Sequence, residues 1–291
     1  METPFSGNAV TMTEYKTLTI TTEYWRPKTD YVRAIINAVE GKITDGDFVV
    51  VSEKAISTAL GNIVDESGVK PTLSAEFIAG FWMRTVWGYV LGPLCRLQAS
   101  FVKRLREYPL ESGSRHKQVA LQHCGFVQAL MFGSEGGIDA SNLAYSYVSL
   151  PLRNAQRTAQ RILTELLQTS HKKVCVIIAD TDKTYSFRNF HFTPRPCAFR
   201  GIHPSGGIFA YVAGRFFRFK RRATPLAVAG CEVQVEDALK IAEASNRVRG
   251  FGAGRTVWDM ADRFRVDLVD VSWEMLETVR HKPIVILRSK R

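Results

Sequence analysis

The stretch Gly133-Ser-Glu-Gly-Gly-Ile-Asp-Ala-Ser-Asn142 holds three glycines, two acidic residues and three small polar residues in ten positions. Glycine at this density is costly inside a helix or a strand. The stretch therefore predicts a tight loop whose backbone N–H groups are free to face a ligand. Asp139 and Asn142 are the polar side chains that such a loop would present.

A buried strand is predicted at 174–179, where the sequence is Val-Cys-Val-Ile-Ile-Ala. We expect this strand to stop at Asp180-Thr181-Asp182. Carboxylates and a hydroxyl at the end of a buried strand are a common way to hold a hard divalent metal, and with it a phosphate. The strand end is thus the expected partner of the glycine loop.

The bulk composition is that of an ordinary globular protein, with 291 residues, 45% of them hydrophobic and 23% charged. Lysine and arginine number 39 against 28 aspartates and glutamates, so the net charge is +11. Such an excess favours anionic partners but does not choose among nucleotides, phosphorylated cofactors, nucleic acid and lipid surfaces.

Cysteine usage indicates a reducing compartment. The five cysteines are an odd number, widely spaced and without a CxxC pair, and Cys124 and Cys175 lie in apolar runs. We predict reduced, buried thiols in a cytoplasmic protein. Residues 1–22 carry no charged and then apolar leader, so we expect no secretion signal.

The segment 77–95 is the only candidate for a membrane span that the sequence offers. It is broken by a single charge, Arg84, and contains three glycines and a proline. Its length is near the lower limit for crossing a bilayer, and a central arginine is costly there. We therefore predict a buried helix at 75–90 and no membrane partner.

Periodicity predicts an alternation of strands and helices. Strands are expected at 15–24, 48–51, 174–179 and 283–288, and helices at 30–39, 154–168, 237–247 and 257–264. A helix followed by a buried strand indicates an α/β or α+β layer. We predict a mixed α+β fold in one domain, 14–291, with a division into two lobes near 190 left open and a flexible segment at 1–13.

Two further positions allow both a functional and a structural interpretation. Lys54 follows the strand at 48–51 and is either a point charge for phosphate or a solvated surface lysine. The glycine-rich loop 250–256 precedes a helix and is either an anion site or a turn in which Thr256 is the N-cap. The scattered histidines show no metal-ligand spacing, with His191 and His203 as the remaining site candidates.

The segment 195–222 combines seven basic residues with interleaved aromatic residues and no acid. A nucleic-acid surface can have this pattern. So can an element with its aromatic residues inward and its arginines outward. Because no nucleic-acid fold motif accompanies it, we favour a binding wall for an anionic small molecule or a solvated face.

Three of these stretches together resemble the coenzyme F-420-0:L-glutamate ligase family. They are Asp-Gly-Asp-Phe-Val-Val-Val-Ser-Glu-Lys-Ala-Ile-Ser at 45–57, Gly-Gly-Ile-Asp-Ala-Ser-Asn at 136–142 and Val-Ile-Ile-Ala-Asp-Thr at 176–181. Their order and spacing also match those of the family from about residue 42 to 188, with a weaker similarity beyond. The specific motifs are the aspartate loop and the strand-end Asp-Thr pair.

The resemblance implies a γ-glutamyl ligase of mixed sheet and flanking helices that uses GTP or ATP with Mg or Mn and forms a homodimer. It assigns metal binding and catalysis to Asp139 and Asp180, with Thr181 as a further metal ligand. It assigns nucleotide binding to Lys54, Ser57 and Asn142, and the backbone N–H groups of Gly136 and Gly137 are further candidate donors to the nucleotide. The arginines Arg188, Arg195 and Arg200 are the candidates for binding an anionic acceptor.

The sequence also departs from the family pattern. Thr58 stands where the family usually has a lysine, and Tyr24-Trp25-Arg26-Pro27 stands near an absent Gly-Leu-Pro-like nucleotide segment. The resemblance thus leaves the acceptor open between F-420-0 and a folate that receives poly-γ-glutamate. A non-catalytic basic relative that binds a phosphorylated cofactor is the alternative of another class, and nucleic acid is the less favoured ligand.

Overall fold

The computed structural model describes residues 15–196, 199–204 and 206–290, so the predicted flexible segment at 1–13 lies outside the described residues. The strands are β1 (Tyr15–Thr22), β2 (Phe48–Ser52), β3 (Ile63–Asp65), β4 (Tyr147–Ser149), β5 (Cys175–Phe187), β6 (Phe190–Thr193), β7 (His203–Pro204), β8 (Lys220–Ala229) and β9 (His281–Ser289). The helices are α1 (Tyr31–Val39), α2 (Glu53–Ala59), α3 (Leu73–Phe77), α4 (Gly92–Leu94), α5 (Ala99–Arg106), α6 (Leu110–His123), α7 (Phe126–Ala129), α8 (Ala155–Ser170), α9 (Ile208–Phe216), α10 (Val235–Arg249), α11 (Val257–Phe264) and α12 (Trp273–Glu277). A short 3₁₀ helix spans Glu66–Gly68, and a π-helix, Ile78–Leu91, joins α3 to α4.

A seven-stranded mixed sheet runs in the order β1-β9-β2-β5-β6-β7, and β8 also pairs with β5. The strands β2 and β5 are parallel, with Ser52 beside Ala179, whereas β8 and β9 run antiparallel to their neighbours. The predicted α+β class is confirmed. The extent of the domain, 14–291, and a division near 190 remain predictions.

Both faces of the sheet are covered by helices. Val49 and Val51 of β2 point toward a core shared with α1 and α8, while Val50 points toward a core shared with α10. Successive residues of a strand point to opposite faces, so only a strand buried on both faces can be apolar at every position. This explains the unbroken valine run in β2, a strand that lies between helices on both faces of the sheet.

The prediction that the strand at 174–179 stops at Asp180 is wrong. Strand β5 continues to Phe187, but its register with β8 shifts between Asp180, which faces Thr224, and Lys183, which faces Ala223. Thr181 and Asp182 therefore have no partner position in β8. A bulge of this kind lets a strand turn polar side chains out of the sheet plane without ending.

The predicted helix at 75–90 exists, but only one of its faces is buried. Ile78, Ala79, Met83 and Trp87 pack into a second core, whereas Phe77, Phe81 and Tyr89 are exposed. Within the residues that the structure describes, no helix is long and apolar enough to cross a membrane. The short strands β3 and β4 pair with each other in a separate two-stranded sheet.

The prediction of reduced thiols is wrong for one pair of cysteines. Cys175, at the start of β5, forms a disulfide with Cys231, which follows β8. The two strands are antiparallel neighbours, so these cysteines meet although 56 positions separate them. Cys95 and Cys124 are free thiols, and Cys197 lies outside the described residues.

The basic and aromatic segment 195–222 does not divide into buried aromatic residues and exposed basic ones: Arg200, Arg218 and Arg221 are exposed, but two of its arginines are buried. Arg195 and Arg222 are 1% and 4% exposed, whereas Phe209 and Phe217 are 71% and 62% exposed. Arg222 donates to both carboxylate oxygens of Glu236, which offsets the cost of burying its charge. An element with aromatic residues inward and arginines outward is thus excluded for these positions.

Candidate active site

The carboxyl end of the parallel pair β2 and β5 places the sequence-predicted residues together. Strand β2 ends at Ser52 and leads directly into α2, which begins Glu53-Lys54, while the neighbouring β5 reaches Asp180 one residue after Ala179. Ligands in open α/β sheets bind beyond the carboxyl ends of the strands, where connections diverge. The sheet topology therefore brings residues more than a hundred positions apart to one edge.

Lys54 is not a solvated surface lysine. Its Nζ donates to Asp139 Oδ2 at 2.8 Å, to the Ser141 carbonyl at 3.0 Å and to Ser141 Oγ at 2.9 Å. The other oxygen of Asp139 accepts from the Ser141 N–H at 2.7 Å. The aspartate of the glycine loop is held by one cation and its own loop, and both charged groups stay partly accessible.

Asn142 joins the two glycine loops. Its Nδ2 donates to the carbonyls of Phe251 and Gly254 at 3.1 and 3.0 Å, and its Oδ1 accepts from the Ala253 N–H at 2.6 Å. The second loop then opens α11 with Thr256 as N-cap in a complete capping box, which confirms the turn interpretation. The amide of Asn142 thus sets the distance between the loops.

Asp180 belongs to a buried ionic network. Arg195 contacts its carboxylate and also reaches Glu53 Oε1 at 3.4 Å. Gly137, with φ of +103°, lies so close that an added Cβ would stand 2.7 Å from Arg195 Nη2. Burial, reinforced by the charge of Asp180, raises the pKa of Asp182 well above its usual range. A single arginine, Arg195, therefore supplies the positive charge for several buried carboxylates.

Side chains of both glycine loops and of the bulge in β5 line a cavity of about 840 Å³. Of the sequence-predicted residues, Lys54, Asp139, Asn142, Asp180 and Thr181 reach it. The structure does not bring Ser57, Arg188 or Arg200 to the cavity; Ser57 is fully buried in α2, and Arg188 lies at the β5–β6 turn with its guanidinium over Phe187. Gly136, Gly137 and Arg195 do not line the cavity either. The two glycines pack on the side of the loop away from it, and Arg195 contacts Asp180 and Glu53.

The donor set fits a hard divalent cation. Asp139, Asp180 and Thr181 line one cavity and supply two carboxylates and a hydroxyl, the oxygen ligands that Mg²⁺ and Mn²⁺ prefer. Asp182, in the same bulge, also lines the cavity, and burial, reinforced by Asp180, raises its pKa. Across the described ranges no three histidine, cysteine or acidic side chains are arranged to hold an ion. Phosphate oxygens and water would have to complete the ligands, as is usual for magnesium.

A second ionic cluster borders the cavity and was not predicted from the sequence. His116 on α6 places Nδ1 2.7 Å from Glu66 Oε1 and Nε2 3.2 Å from Glu135 Oε2, and Lys117 contacts the other oxygen of Glu135. Glu135 is part of the glycine loop, two residues before Gly137. The cluster thus anchors the loop from its buried side, and the spacing of histidines along the sequence does not reveal it.

We expect the stability that His116 provides to fall with rising pH. Burial alone lowers the pKa of His116, but the carboxylates of Glu66 and Glu135 outweigh it and raise the pKa to about 10. An unfolded histidine titrates near pH 6.5. The stabilisation is therefore complete below that pH and is lost as the pH rises through 10.

Urea unfolding from pH 6 to 9 should show that the advantage of wild type over His116→Gln in free energy of unfolding shrinks steadily. His123→Gln, at an exposed position of the same helix, should show a constant difference; a constant difference for His116→Gln would contradict the charge assignment.

A mixed sheet that brings a lysine, two aspartates and two glycine loops to one cavity forms a site suited to binding a charged small molecule. The family model described as F420-0:Gamma-glutamyl ligase matches residues 19–257, and the chain belongs to this family. Its members are ligases, as the family description states.

Two relatives give the range of similarity. An uncharacterized protein of Methanocaldococcus jannaschii is 32% identical over 283 residues, which cover 93% of this chain and 95% of the relative. The coenzyme F420:L-glutamate ligase of Methanothermobacter thermautotrophicus is 31% identical over 155 residues, 52% of this chain and 55% of that enzyme. The Methanocaldococcus protein is thus similar over nearly its whole length, but its name states no activity. The Methanothermobacter ligase is similar over about half of its length.

Proposed function

We propose that this protein is a γ-glutamyl ligase that joins L-glutamate to a carboxylate of coenzyme F-420-0 or a related cofactor, using GTP or ATP. One observation carries the proposal. Lys54, Asp139 and the Asp180–Asp182 bulge, which come from three distant parts of the chain, converge on one cavity in a member of a ligase family. A peptide-type ligation requires a carboxylate to be activated, and this set of charges suits that task.

The proposed reaction has two steps. An acceptor carboxylate oxygen attacks the γ-phosphorus, and the nucleoside diphosphate leaves. The glutamate amine then attacks the acyl carbon and releases phosphate. Lys54, which needs only to exchange Asp139 for a phosphate oxygen, stabilises negative charge on the transferred group. Backbone N–H groups of the glycine loop provide further donors.

Mg²⁺ or Mn²⁺ is the proposed cofactor, held by Asp139, Asp180 and Thr181. When bound, such an ion neutralises the charge that develops on phosphate oxygens during transfer. Arg195 positions Asp180 from behind, and Asn142 fixes the loop that carries Asp139 relative to the second glycine loop.

The proposed surface for the nucleotide base is the aromatic pair of Tyr24 and His281, whose ring centroids are 4.5 Å apart at the cavity wall. Burial lowers the pKa of His281 to about 4, so its ring is neutral near pH 7. A neutral, flat pair suits stacking with a base, since every base presents a π-face. Tyr24 belongs to the segment 24–27, where the sequence departs from the usual nucleotide segment of the family.

The direct test incubates the protein with Mg²⁺ or Mn²⁺, GTP or ATP, L-glutamate and either F-420-0 or a reduced folate. Mass spectrometry should show the acceptor gaining one glutamyl unit, with one nucleotide hydrolysed for each bond formed. Gain on the folate alone would identify the folate poly-γ-glutamate ligase. Absence of nucleotide hydrolysis with either acceptor would contradict the ligase proposal and favour a non-catalytic basic binding protein.

A homodimer and a cytoplasmic location belong to the same proposal, and light scattering of the purified protein tests the dimer.

A further inference from the structure

Arg249 is a cation of the cavity without an acidic partner. It is the last residue of α10, just before Gly250 and the second glycine loop. Its guanidinium makes one long hydrogen bond, to Asn246 Oδ1 at 3.4 Å, and in the described parts of the chain it forms no ion pair with an acidic side chain. Burial lowers the pKa of Arg249, while Asp180 and Asp139 act in the opposite sense. The group is therefore a desolvated charge within electrostatic range of both aspartates.

Several other cations around the cavity are matched by acids. Lys54 binds Asp139, Lys183 and Arg247 bind Glu243, and His116 lies between two glutamates. Leaving a partly buried charge unpaired is costly, because water is removed and no counter-charge replaces it. A guanidinium kept in that state beside the proposed reaction centre fits a role in which the ligand supplies the anion.

Two more cations extend this wall. Arg280 and Lys282 flank His281 at the start of β9 and line the same cavity, and neither has an acidic partner within the described ranges. The planar fork of an arginine matches a carboxylate in two parallel hydrogen bonds, whereas lysine acts as a point charge. Two separate cationic positions suit a substrate with two carboxylates.

We propose that Arg249 is a specificity-determining residue that binds one carboxylate of the incoming amino acid, with Arg280 and Lys282 receiving the other. The inference rests on the proposed ligase function and names the residues that select a dicarboxylic amino acid. The shared chemistry is recognition of an oxyanion, so a nucleotide phosphate is the competing occupant that the experiment must separate.

The test compares wild type with Arg249→Gln, Arg249→Lys and Arg157→Gln. The last variant removes the same charge from an exposed position of α8 outside the cavity. In Arg249→Gln the bound carboxylate of glutamate loses its guanidinium partner in a desolvated site. This loss should raise the KM for glutamate roughly 30-fold or more. The kcat and the rise in melting temperature with Mn²⁺ and nucleotide should change little. Arg249→Lys should recover part of the loss, and preference for glutamate over glutamine should fall only in the Arg249 variants.

Calorimetric titration of glutamate into protein saturated with a non-hydrolysable nucleotide separates the two hypotheses. Binding to wild type and Arg157→Gln, but not to Arg249→Gln, supports the role of Arg249 even if no ligation is found and the ligase proposal fails. Equal binding to all proteins, or no binding to wild type, overturns it. A lost nucleotide response with an unchanged KM for glutamate would also overturn it, because Arg249 would then bind phosphate.

Discussion

Asp139→Asn and Asp180→Asn should each lower the rate of glutamyl transfer by roughly 10³-fold, the loss seen when a preorganised charge is removed from a reaction centre. Each change replaces a negative ligand of a hard cation with a neutral amide. The rise in melting temperature with Mn²⁺ and nucleotide should disappear in either variant. The double variant should be little worse than each single one, because residues that act as one unit are not additive.

The fold should survive both changes. Without the Asp139 carboxylate, Lys54 keeps its bonds to the carbonyl and hydroxyl of Ser141. In the Asp180 variant, Arg195 keeps Glu53 and gains an amide oxygen in place of the carboxylate. Asp267→Asn, an exposed change outside the cavity, is the matched control. A large fall in melting temperature with a normal response to Mn²⁺ would show that the aspartates are structural, and a wild type indifferent to Mn²⁺ and nucleotide would refute the metal site.

Arg195→Met should be the most destabilising single change, at about 3 to 5 kcal/mol in the free energy of unfolding. Arg195 is 1% exposed and is the cation that Glu53 and Asp180 share. Removing it leaves buried carboxylates facing one another with no counter-charge. Urea unfolding measures the loss, and the Glu53→Gln/Arg195→Met double variant should recover part of it because one of those charges is also gone.

Arg188→Met provides the control for this prediction. It makes the same chemical change at an exposed turn, where surface substitutions usually alter stability by no more than about 0.5 kcal/mol. A loss for Arg195→Met of similar size to that control would contradict the ionic network. Both arginines were candidates for binding the acceptor, so their different costs would also show which one the fold requires.

The local patterns of the sequence predicted the elements well. The valine run of β2, the helical period of α1 and α8 and the second glycine loop all depend on residues close together in the chain, and their positions agree with the structure. The glycine loop with Asp139 and the Asp180-Thr181 pair could likewise be found, because a loop rich in glycine and a polar end to an apolar run are local signals. These same motifs indicated the ligase family that the family model confirms.

Other features depend on which distant segments become neighbours. The sequence alone did not show that β5 continues through a bulge, because the missing partner positions belong to β8. It did not show that Cys175 pairs with Cys231, or that Arg195 points inward while Phe209 points to solvent.

The local sequence of 195–222 alternates charge and aromatic residues and so allows either face to be the buried one. The buried carboxylates of Glu53, which follows β2, and Asp180, at the bulge in β5, supply the counter-charge that makes the inward Arg195 stable. The sequence by itself thus determined the elements, the motifs and the family. The tertiary structure alone decided which charges meet, because the electrostatic cost of burying a group is set by neighbours that lie far away in the chain.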